Sequence, residues 1–327
     1  LGTRRSIRSE EHHSTTWIGD RAVETLEGWE GGGHLLMASF IKPHHPFDPP
    51  APWSEMYDPN EISLLAGYTD ACLPQDLAFS QGYFPYEDLT EEKIRLATAY
   101  YYATISQIDH HVGRMVDVLK RKGLYDNTLI LYNSDHGDFV GFHHLLLKGN
   151  YMYDPVIKVP LVVKYPGQKD GGTVCKNLVN TIDVGPTLIR VAGCEVPEGM
   201  EGADLREVDR ELMFAETGRG NAYMVRSRTR KLLLCARAES SQFFNLDQDP
   251  YEMNNVIDDP AYRDEVQTFR EALVQWALFD CPSRVHLDVD GPVVLGADVA
   301  DRNGEDREEM VAYFKERMGG GRIAEGR

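Results

Sequence analysis

The sequence lacks the features that mark several large classes of protein. No run of about 18 apolar residues occurs in its 327 residues, so no transmembrane helix is predicted. Its five cysteines form no Cys-x-x-Cys pair, which argues against a zinc ribbon or a dense disulfide framework. Positive charge is scarce, with 34 Lys and Arg against 52 acidic residues and a net charge of −18. Such a surface repels phosphate backbones and anionic bilayers, so we expect neither nucleic acid nor a membrane as partner.

What the sequence does contain is an alternation of helical and strand patterns. Hydrophobic residues make up 42% of the chain, which suffices for a buried core. The predicted elements are a helix at 16–29, a buried strand at 34–41, a helix at 91–122, strands at 128–133 and 159–164, and a helix at about 183–193. The strand at 128–133 is continuously apolar, which is typical of a sheet covered on both faces. The pattern predicts the α/β class, with a mostly parallel sheet flanked by helices.

The predicted elements become short strands after residue 204. Short strands separated by turn residues are predicted at 211–215, 222–226, 231–235 and 242–246, followed by a helix at about 261–278. Their spacing of about ten residues predicts an antiparallel meander. We therefore divide the chain into an α/β part (1–204), a small α+β subdomain (205–280) and an acidic tail (281–327) with one helix at about 305–318.

Polar residues that could take part in catalysis or bind a metal follow two of the predicted strands. The run SDHGD (134–138) follows strand 128–133 and leads into a loop that ends at Lys148, while KPHHPF (42–47) follows strand 34–41. In open α/β sheets, ligands bind beyond the carboxyl ends of strands. An isolated Asp-His pair is usually a solvated aspartate and a packing histidine. Together, however, the two strand ends present an aspartate, several histidines and a lysine, which suits a metal ion and a tetrahedral anion.

Several motifs in a fixed order make the chain similar to a known family. They are KPHHPFDPP, IDHHVGRMVDVLKRKGLYDNTLILYNSDHGD, GFHHLLLKG, VPLVVKYPG, DVGPTLIRVAGCEVPEGMEG and FFNLDQDPYEMNNV. From about residue 14 to 280 the chain resembles the sulfatase family of the alkaline-phosphatase-like superfamily, including the arylsulfatases and phosphonate monoester hydrolases. The resemblance implies the alkaline-phosphatase-like fold, incomplete here at its N-terminus.

The resemblance also implies roles for individual residues. Asp135 and His136 match metal ligands, and Lys148 matches the lysine that binds the sulfate oxygens. His44 matches the histidine that assists the leaving group, so His44 and Lys148 are the expected catalytic residues. His143 matches a loop histidine and is expected to bind substrate. One divalent cation is implied, with Ca²⁺ favoured and Mn²⁺ or Zn²⁺ as alternatives.

One family element is absent from the sequence. Sulfatases carry a Cys-x-Pro-x-Arg segment, whose Cys or Ser becomes the formylglycine nucleophile, and an early Asp-Asp pair. Neither occurs here, since CLPQD (72–76) lacks the arginine and CPSR (281–284) lacks the spacer. The chain also opens without Met, so we expect a preceding segment that supplies the nucleophile and any targeting signal, and the compartment is left unassigned.

Three functions remain open at this point. The first is the hydrolysis of sulfate esters, with this chain carrying the second half of the active site. The second is the hydrolysis of phosphonate monoesters or phosphodiesters on the same scaffold. The third is a truncated, non-catalytic chain that binds an anion or a metal. The expected partner is a small sulfate or phosphonate ester, and a homo-oligomer is left open.

Overall fold

The computed structural model describes residues 3–78, 89–149, 151–167, 171–217, 222–236 and 238–280. Its helices are α1 (Ser14–Glu27), α2 (Pro74–Ala78), α3 (Glu91–Arg121), α4 (Asp154–Ile157), α5 (Val184–Val191) and α6 (Arg263–Gln275), the last continued by a π-helical turn (Trp276–Asp280). Its strands are β1 (Ile130–Asn133), β2 (Leu161–Lys164), β3 (Met213–Glu216), β4 (Ala222–Arg226), β5 (Arg230–Cys235) and β6 (Gln242–Asn245). The tail and its predicted helix lie outside the described residues.

Two helices pack together in the first part of the chain, and their ends follow from local chemistry. Thr90 accepts a hydrogen bond from the Lys93 amide at the start of α3, and acidic residues fill its first turn. Gly123, at φ 69°, follows its end. The predicted long helix is therefore confirmed almost to the residue. α1 and α3 share a hydrophobic cluster that includes Leu26 and Val118.

The two strands that follow α3 pair with each other. β1 and β2 are antiparallel, with Ile130 opposite Lys164 and Asn133 opposite Leu161. No parallel strand pair occurs in the described ranges, so the expected parallel pairing is not found there. The connection 134–160, which forms the site loop, leaves β1 and enters β2 at the same end of the pair. A parallel pair would need a connection that crosses to the opposite end.

The segment 34–41 differs most from its prediction. It has no regular secondary structure, so the predicted buried strand is wrong. Leu35, Met37 and Ile41 are 81%, 84% and 67% exposed. Residues 35–40 make no backbone hydrogen bond with the described residues. An apolar run becomes a buried strand only when a neighbouring strand satisfies its amides and carbonyls.

The C-terminal part contains the predicted meander. Its strands pair antiparallel in the order β3-β4-β5-β6, close to the predicted positions. One face of this sheet packs on α6 through Leu232, Phe243 and Val266. The other face shares a hydrophobic cluster with the loop after β1, including Phe139 and Tyr153. The loop is thus held between the two parts of the chain.

Two negative findings concern the described residues only. None of the helices there combines the length and apolar content that a membrane span requires. The four described cysteines, Cys72, Cys175, Cys194 and Cys235, form no disulfide.

Candidate active site

A tight turn after β1 presents the first two candidate ligands. Gly137 donates its amide to the Val156 carbonyl at 2.8 Å, and a Cβ on this glycine would lie 1.9 Å from the Pro155 carbonyl oxygen. Only glycine therefore fits. This close approach fixes the direction in which the preceding residues, Asp135 and His136, leave the strand.

Asp135 and His136 form a pair of donors that could hold a cation. The Nδ1 of His136 lies 2.7 Å from the Gly137 carbonyl, so Nδ1 carries the hydrogen and Nε2 keeps its lone pair. That Nε2 lies 3.7 Å from Oδ2 of Asp135, whose side chain is 86% exposed. Carboxylate oxygen and imidazole nitrogen both suit a divalent ion. The pair therefore fits a metal, but as two donors of a larger set.

The described part of the chain does not contain the rest of that set. No group of three or more His, Cys, Asp or Glu side chains arranged for a metal occurs in it. Because a divalent cation usually takes four or more ligands, substrate, water or other polypeptide would have to complete the site.

A second carboxylate, Asp138, organises the loop after the turn. Its Oδ1 accepts hydrogen bonds from the amides of Val140 and Leu147, each at 3.0 Å. Burial raises the pKa of Asp138 to about 7, against the opposing effect of these amides and of Lys148. The sequence analysis did not select Asp138, although it belongs to the same SDHGD run.

The loop that Asp138 closes has an unusual backbone. Four of its non-glycine residues have positive φ: Val140 (45°), His143 (51°), His144 (63°) and Leu147 (64°). Each such residue costs roughly 1–2 kcal/mol, so the surroundings must hold them. Residues 139–147 are all buried, and Lys148 emerges directly after them.

Lys148 lies within electrostatic reach of both aspartates of the turn. Burial lowers the pKa of Lys148, while the charges of Asp135 and Asp138 raise it. A partly desolvated ammonium binds an anion more strongly than a fully hydrated one. The structure thus brings together the lysine and the carboxylate that the sequence predicted as neighbours.

The His44–His45 pair lies in the proline-rich loop that follows segment 34–41. The two rings stack with centroids 4.1 Å apart, and Nδ1 of His44 lies 2.7 Å from the His45 carbonyl. His44 is exposed. Burial lowers the pKa of His45 to about 4, and the charges of His44, Lys148, Lys42 and His136 add to this effect. Three residues of the predicted site, His44, Lys148 and His136, therefore lie within electrostatic reach of His45.

Lys42 was missed by the sequence analysis and holds this loop in shape. Its Nζ donates to the carbonyls of His44 (3.3 Å) and Pro46 (2.5 Å) and to the carboxylate of Asp48. The side chain of Lys42 is buried. A lysine followed six residues later by an aspartate, within a proline-rich loop, was the available signal.

His143 differs from the other predicted site residues because its side chain is closed off from solvent. Its side chain is fully buried, and both ring nitrogens contact protein acceptors, Oδ2 of Asp76 at 3.2 Å and the Tyr251 carbonyl at 2.8 Å. Neither ring nitrogen of His143 is therefore available for the predicted contact with substrate.

Comparison with known proteins places these features in a family. Residues 3–194 match the Sulfatase family model, and residues 141–278 match that of the C-terminal region of N-sulphoglucosamine sulphohydrolase. The chain is 28% identical over 286 residues to an arylsulfatase of Clostridium perfringens (strain 13 / Type A), covering 81% of this chain and 58% of that protein. It is 28% identical over 312 residues to the multifunctional alkaline phosphatase superfamily protein PehA of Trinickia caryophylli, covering 82% and 60%.

Solved structures show the same fold. A phosphonate monoester hydrolase of Agrobacterium radiobacter superposes with a TM-score of 0.71 at 23% identity, covering 84% of this chain and 62% of that one. The phosphonate monoester hydrolase of Silicibacter pomeroyi gives 0.72 at 24% identity, with the same coverages. The predicted α/β, alkaline-phosphatase-like class is confirmed. The chain spans about 60% of the length of the two curated relatives compared above.

Proposed function

Because the chain belongs to the sulfatase family, we propose that it carries the second half of the active site of a metal-dependent hydrolase of sulfate esters. The observation that carries the proposal is electrostatic: Asp135, which pairs with His136, acts on Lys148, and His136, Lys148 and His44 all act on His45. A cation-binding pair beside a partly buried lysine and an exposed histidine suits an anionic ester.

In this proposal each group has a separate task. Asp135 and His136 hold a divalent cation, with Ca²⁺ favoured and Mn²⁺ or Zn²⁺ as alternatives. The bound cation would polarise the ester oxygens. Lys148 binds the nonbridging oxygens and stabilises the charge that grows on them. His44, whose Nδ1 faces the His45 carbonyl, would donate a proton from Nε2 to the leaving oxygen as a doubly protonated ring.

The nucleophile is not among these side chains. The sequence has no Cys-x-Pro-x-Arg or Ser-x-Pro-x-Arg segment. We propose that polypeptide outside the 327 residues supplies it, together with the remaining cation ligands. Reading the gene upstream of Leu1 tests this directly, because such a segment in frame supports it and a stop codon or a start at Leu1 contradicts it.

The proposed metal and anion sites can be tested on the chain itself. Calorimetric titration with CaCl₂ and with MnCl₂ should give cation binding that Asp135→Asn weakens by at least about tenfold. The matched control Asp258→Asn removes an exposed acid far along the chain and should have no effect. Equal cation binding by D135N and D258N would contradict the assignment.

The anion site is tested in the same way with sodium sulfate. Lys148→Gln removes a charged hydrogen-bond donor, worth about 1.5–3 kcal/mol, and should weaken sulfate binding about tenfold or more. Lys158→Gln, at an exposed lysine, is the matched control. Sulfate binding that is unchanged in K148Q would remove Lys148 from the site.

A second candidate is the hydrolysis of phosphonate monoesters or phosphodiesters. It is suggested by the fold that the chain shares with two phosphonate monoester hydrolases and by the 28% identity to the multifunctional alkaline phosphatase superfamily protein of Trinickia caryophylli. Both electrophiles are tetrahedral and anionic, so the same residues suit either. The two are distinguished by hydrolysis rates on p-nitrophenyl sulfate and on a p-nitrophenyl phosphonate monoester. These rates should be measured on the whole protein that the gene encodes.

A further inference from the structure

A buried histidine joins three distant segments of the chain. His143 belongs to the loop after β1, Asp76 to α2, and Tyr251 to the turn that follows β6. The ring of His143 contacts the Asp76 carboxylate through Nδ1 and the Tyr251 carbonyl through Nε2. It also stacks on Phe142, with centroids 4.0 Å apart, and meets Tyr153 edge-on at 4.6 Å.

The two polar partners decide the state of the ring. A carbonyl oxygen accepts hydrogen bonds and cannot donate one, and an ionised carboxylate does the same. If Asp76 is ionised, both nitrogens of His143 must carry hydrogens to serve these two acceptors, and the ring is an imidazolium facing the carboxylate. A buried charge is tolerated when it is paired and hydrogen-bonded, as here.

Two tyrosine hydroxyls donate hydrogen bonds to Asp76. The hydroxyl of Tyr153 donates to Oδ1 of Asp76, and the hydroxyl of Tyr151 donates to its backbone carbonyl. Burial and the charge of Asp76 raise the pKa of Tyr153, so this phenol keeps its hydrogen as a donor. The carboxylate thus receives hydrogen bonds on both oxygens, one from the phenol and one from the imidazole.

The link reaches the site loop at a strained point. His143 has a left-handed backbone, and its amide donates to the Gly67 carbonyl at 2.8 Å. Four residues later, the amide of Leu147 binds Asp138, and Lys148 follows. A ring fixed at His143 therefore limits how far the end of this loop, and with it Lys148, can move.

The other end of the link lies on a rigid part of the C-terminal subdomain. Glu252, next to Tyr251, accepts a hydrogen bond from the Asp154 amide at 2.8 Å. It also accepts one from Nζ of Lys231 on β5 at 2.5 Å. Glu252 and Lys231 are both fully buried. The Tyr251 carbonyl is thus held by the sheet itself.

We propose that His143 is a positioning residue: as an imidazolium held between Asp76 and the Tyr251 carbonyl, it locks the loop that presents Lys148 onto the C-terminal subdomain. Its catalytic consequence rests on the function proposed for Lys148. The lock itself does not, and it can be tested without any assay of hydrolysis.

The first test is a spectroscopic signature of the unaltered chain. Nitrogen-15 NMR of histidine-labelled protein at pH 7.5, assigned by comparison with His143→Asn, should show both ring nitrogens of His143 bearing hydrogen. In Asp76→Asn, which keeps the size of the side chain but loses its charge, one of these hydrogens should be lost. A singly protonated ring in the unaltered chain would overturn the proposal.

The second test compares two neighbouring histidines in the same loop. His143→Asn and His144→Asn both place asparagine, which tolerates left-handed backbone, at a buried position with positive φ. Only His143 reaches Asp76 and Tyr251, whereas Nδ1 of His144 contacts the Thr69 carbonyl. H143N should therefore accelerate amide hydrogen exchange at Phe139, Gly141 and Leu147 at least about tenfold more than H144N does.

The outcomes separate this inference from the proposed function. Equal exchange in H143N and H144N would overturn the lock whether or not the chain binds sulfate. If H143N fails to fold, Asp76→Asn gives the same exchange comparison from the other end of the pair. If the lock holds and K148Q leaves sulfate binding unchanged, the positioning stands and the proposed function fails.

Discussion

The apolar segment 34–41 lies largely in solvent, whereas the histidine-containing loop 139–147 is buried throughout. From composition alone, the apolar segment would be expected to be buried and the histidine-containing loop to be exposed. The loop can be buried because its backbone is satisfied internally, with Phe139 donating to Leu147 and Gly141 to Leu145, each at 2.8 Å. Residues 35–40 have no such partners among the described residues. Burial therefore follows from hydrogen-bonding partners as much as from hydrophobicity.

The largest effect is expected beneath the buried loop, at Lys231. Its Nζ lies between Oδ1 of Asp154 (3.0 Å) and Oε1 of Glu252 (2.5 Å). Lys231→Met would leave Glu252 buried without its counter-charge, which should lower the free energy of unfolding by about 3–5 kcal/mol. Urea unfolding measures this loss.

The control for this change is an exposed lysine. Lys176→Met should stay within about 0.5 kcal/mol of the unaltered chain. The double variant K231M/E252Q removes both charges and should recover part of the loss. A cost below about 1 kcal/mol for K231M would mean that the buried Glu252 does not depend on Lys231 as its counter-charge.

A smaller but still large effect is expected at the turn before the loop. Gly137→Ala would place a methyl group 1.9 Å from the Pro155 carbonyl oxygen, and the backbone must move to accept it. We expect a loss of about 1–3 kcal/mol in unfolding free energy, measured by urea titration, and weaker Ca²⁺ binding at Asp135 and His136. The matched control is Gly113→Ala on α3.

Gly113 meets nothing within 4 Å of its missing Cβ. Alanine there should stabilise the helix by about 0.5–1 kcal/mol. The comparison therefore predicts opposite signs for the same substitution. Equal effects at Gly137 and Gly113 would contradict the close packing of the turn.

Substitutions in the exposed segment 34–41 should change self-association and not stability. Leu35→Glu with Met37→Glu should change the unfolding free energy by less than about 0.5 kcal/mol, since both side chains lie in solvent. It should reduce concentration-dependent self-association, because unpaired apolar segments promote it. Analytical ultracentrifugation measures the association.

A buried leucine provides the contrast. Leu232→Ala on β5 removes a fully buried side chain and should cost about 2–5 kcal/mol. If L35E/M37E destabilises the chain as much as L232A does, segment 34–41 is buried in solution and the contrast between the two regions fails.

A further prediction concerns a pH dependence of stability at His45. Its folded pKa of about 4 lies below the ordinary value of 6.5, so the folded chain binds fewer protons than the unfolded chain between these values. Stability is therefore lost as the pH falls from 6.5 towards 4. His45→Asn should reduce this loss, measured as the difference in urea midpoint between pH 7 and pH 4.5.

The exposed His12 supplies the control for that difference. His12→Asn should leave the acid-side loss as it is in the unaltered chain. A loss that is the same in H45N would mean that burial and the neighbouring charges do not lower the pKa of His45.

The sequence predicted those elements whose signals are local. The α3 helix carries its own cap and charged ends, and the strands β3 to β6 are bounded by turn residues, so both were found close to their true positions. The strand at 34–41 and the direction of the β1–β2 pairing were not predictable, because each depends on which distant segment supplies the hydrogen bonds.

The candidate site divides in the same way. Asp135, His136, Lys148 and His44 stand at the ends of motifs and were identified from them, although their roles stay predictions. The burial of His143 was not foreseen, because nothing in GFHHLLLKG reveals its left-handed backbone or its contact with Asp76. Lys42 and Asp138 were missed because their partners are carbonyls and amides, which leave no mark in a sequence.

The most direct test of the account is a crystal structure of the chain grown with MnCl₂ and sodium sulfate. The anomalous signal of manganese should appear as one peak between Asp135 and His136, with a sulfate ion against Nζ of Lys148. A manganese peak elsewhere, or a sulfate ion bound away from Lys148, would contradict the claim that these residues form half of an active site.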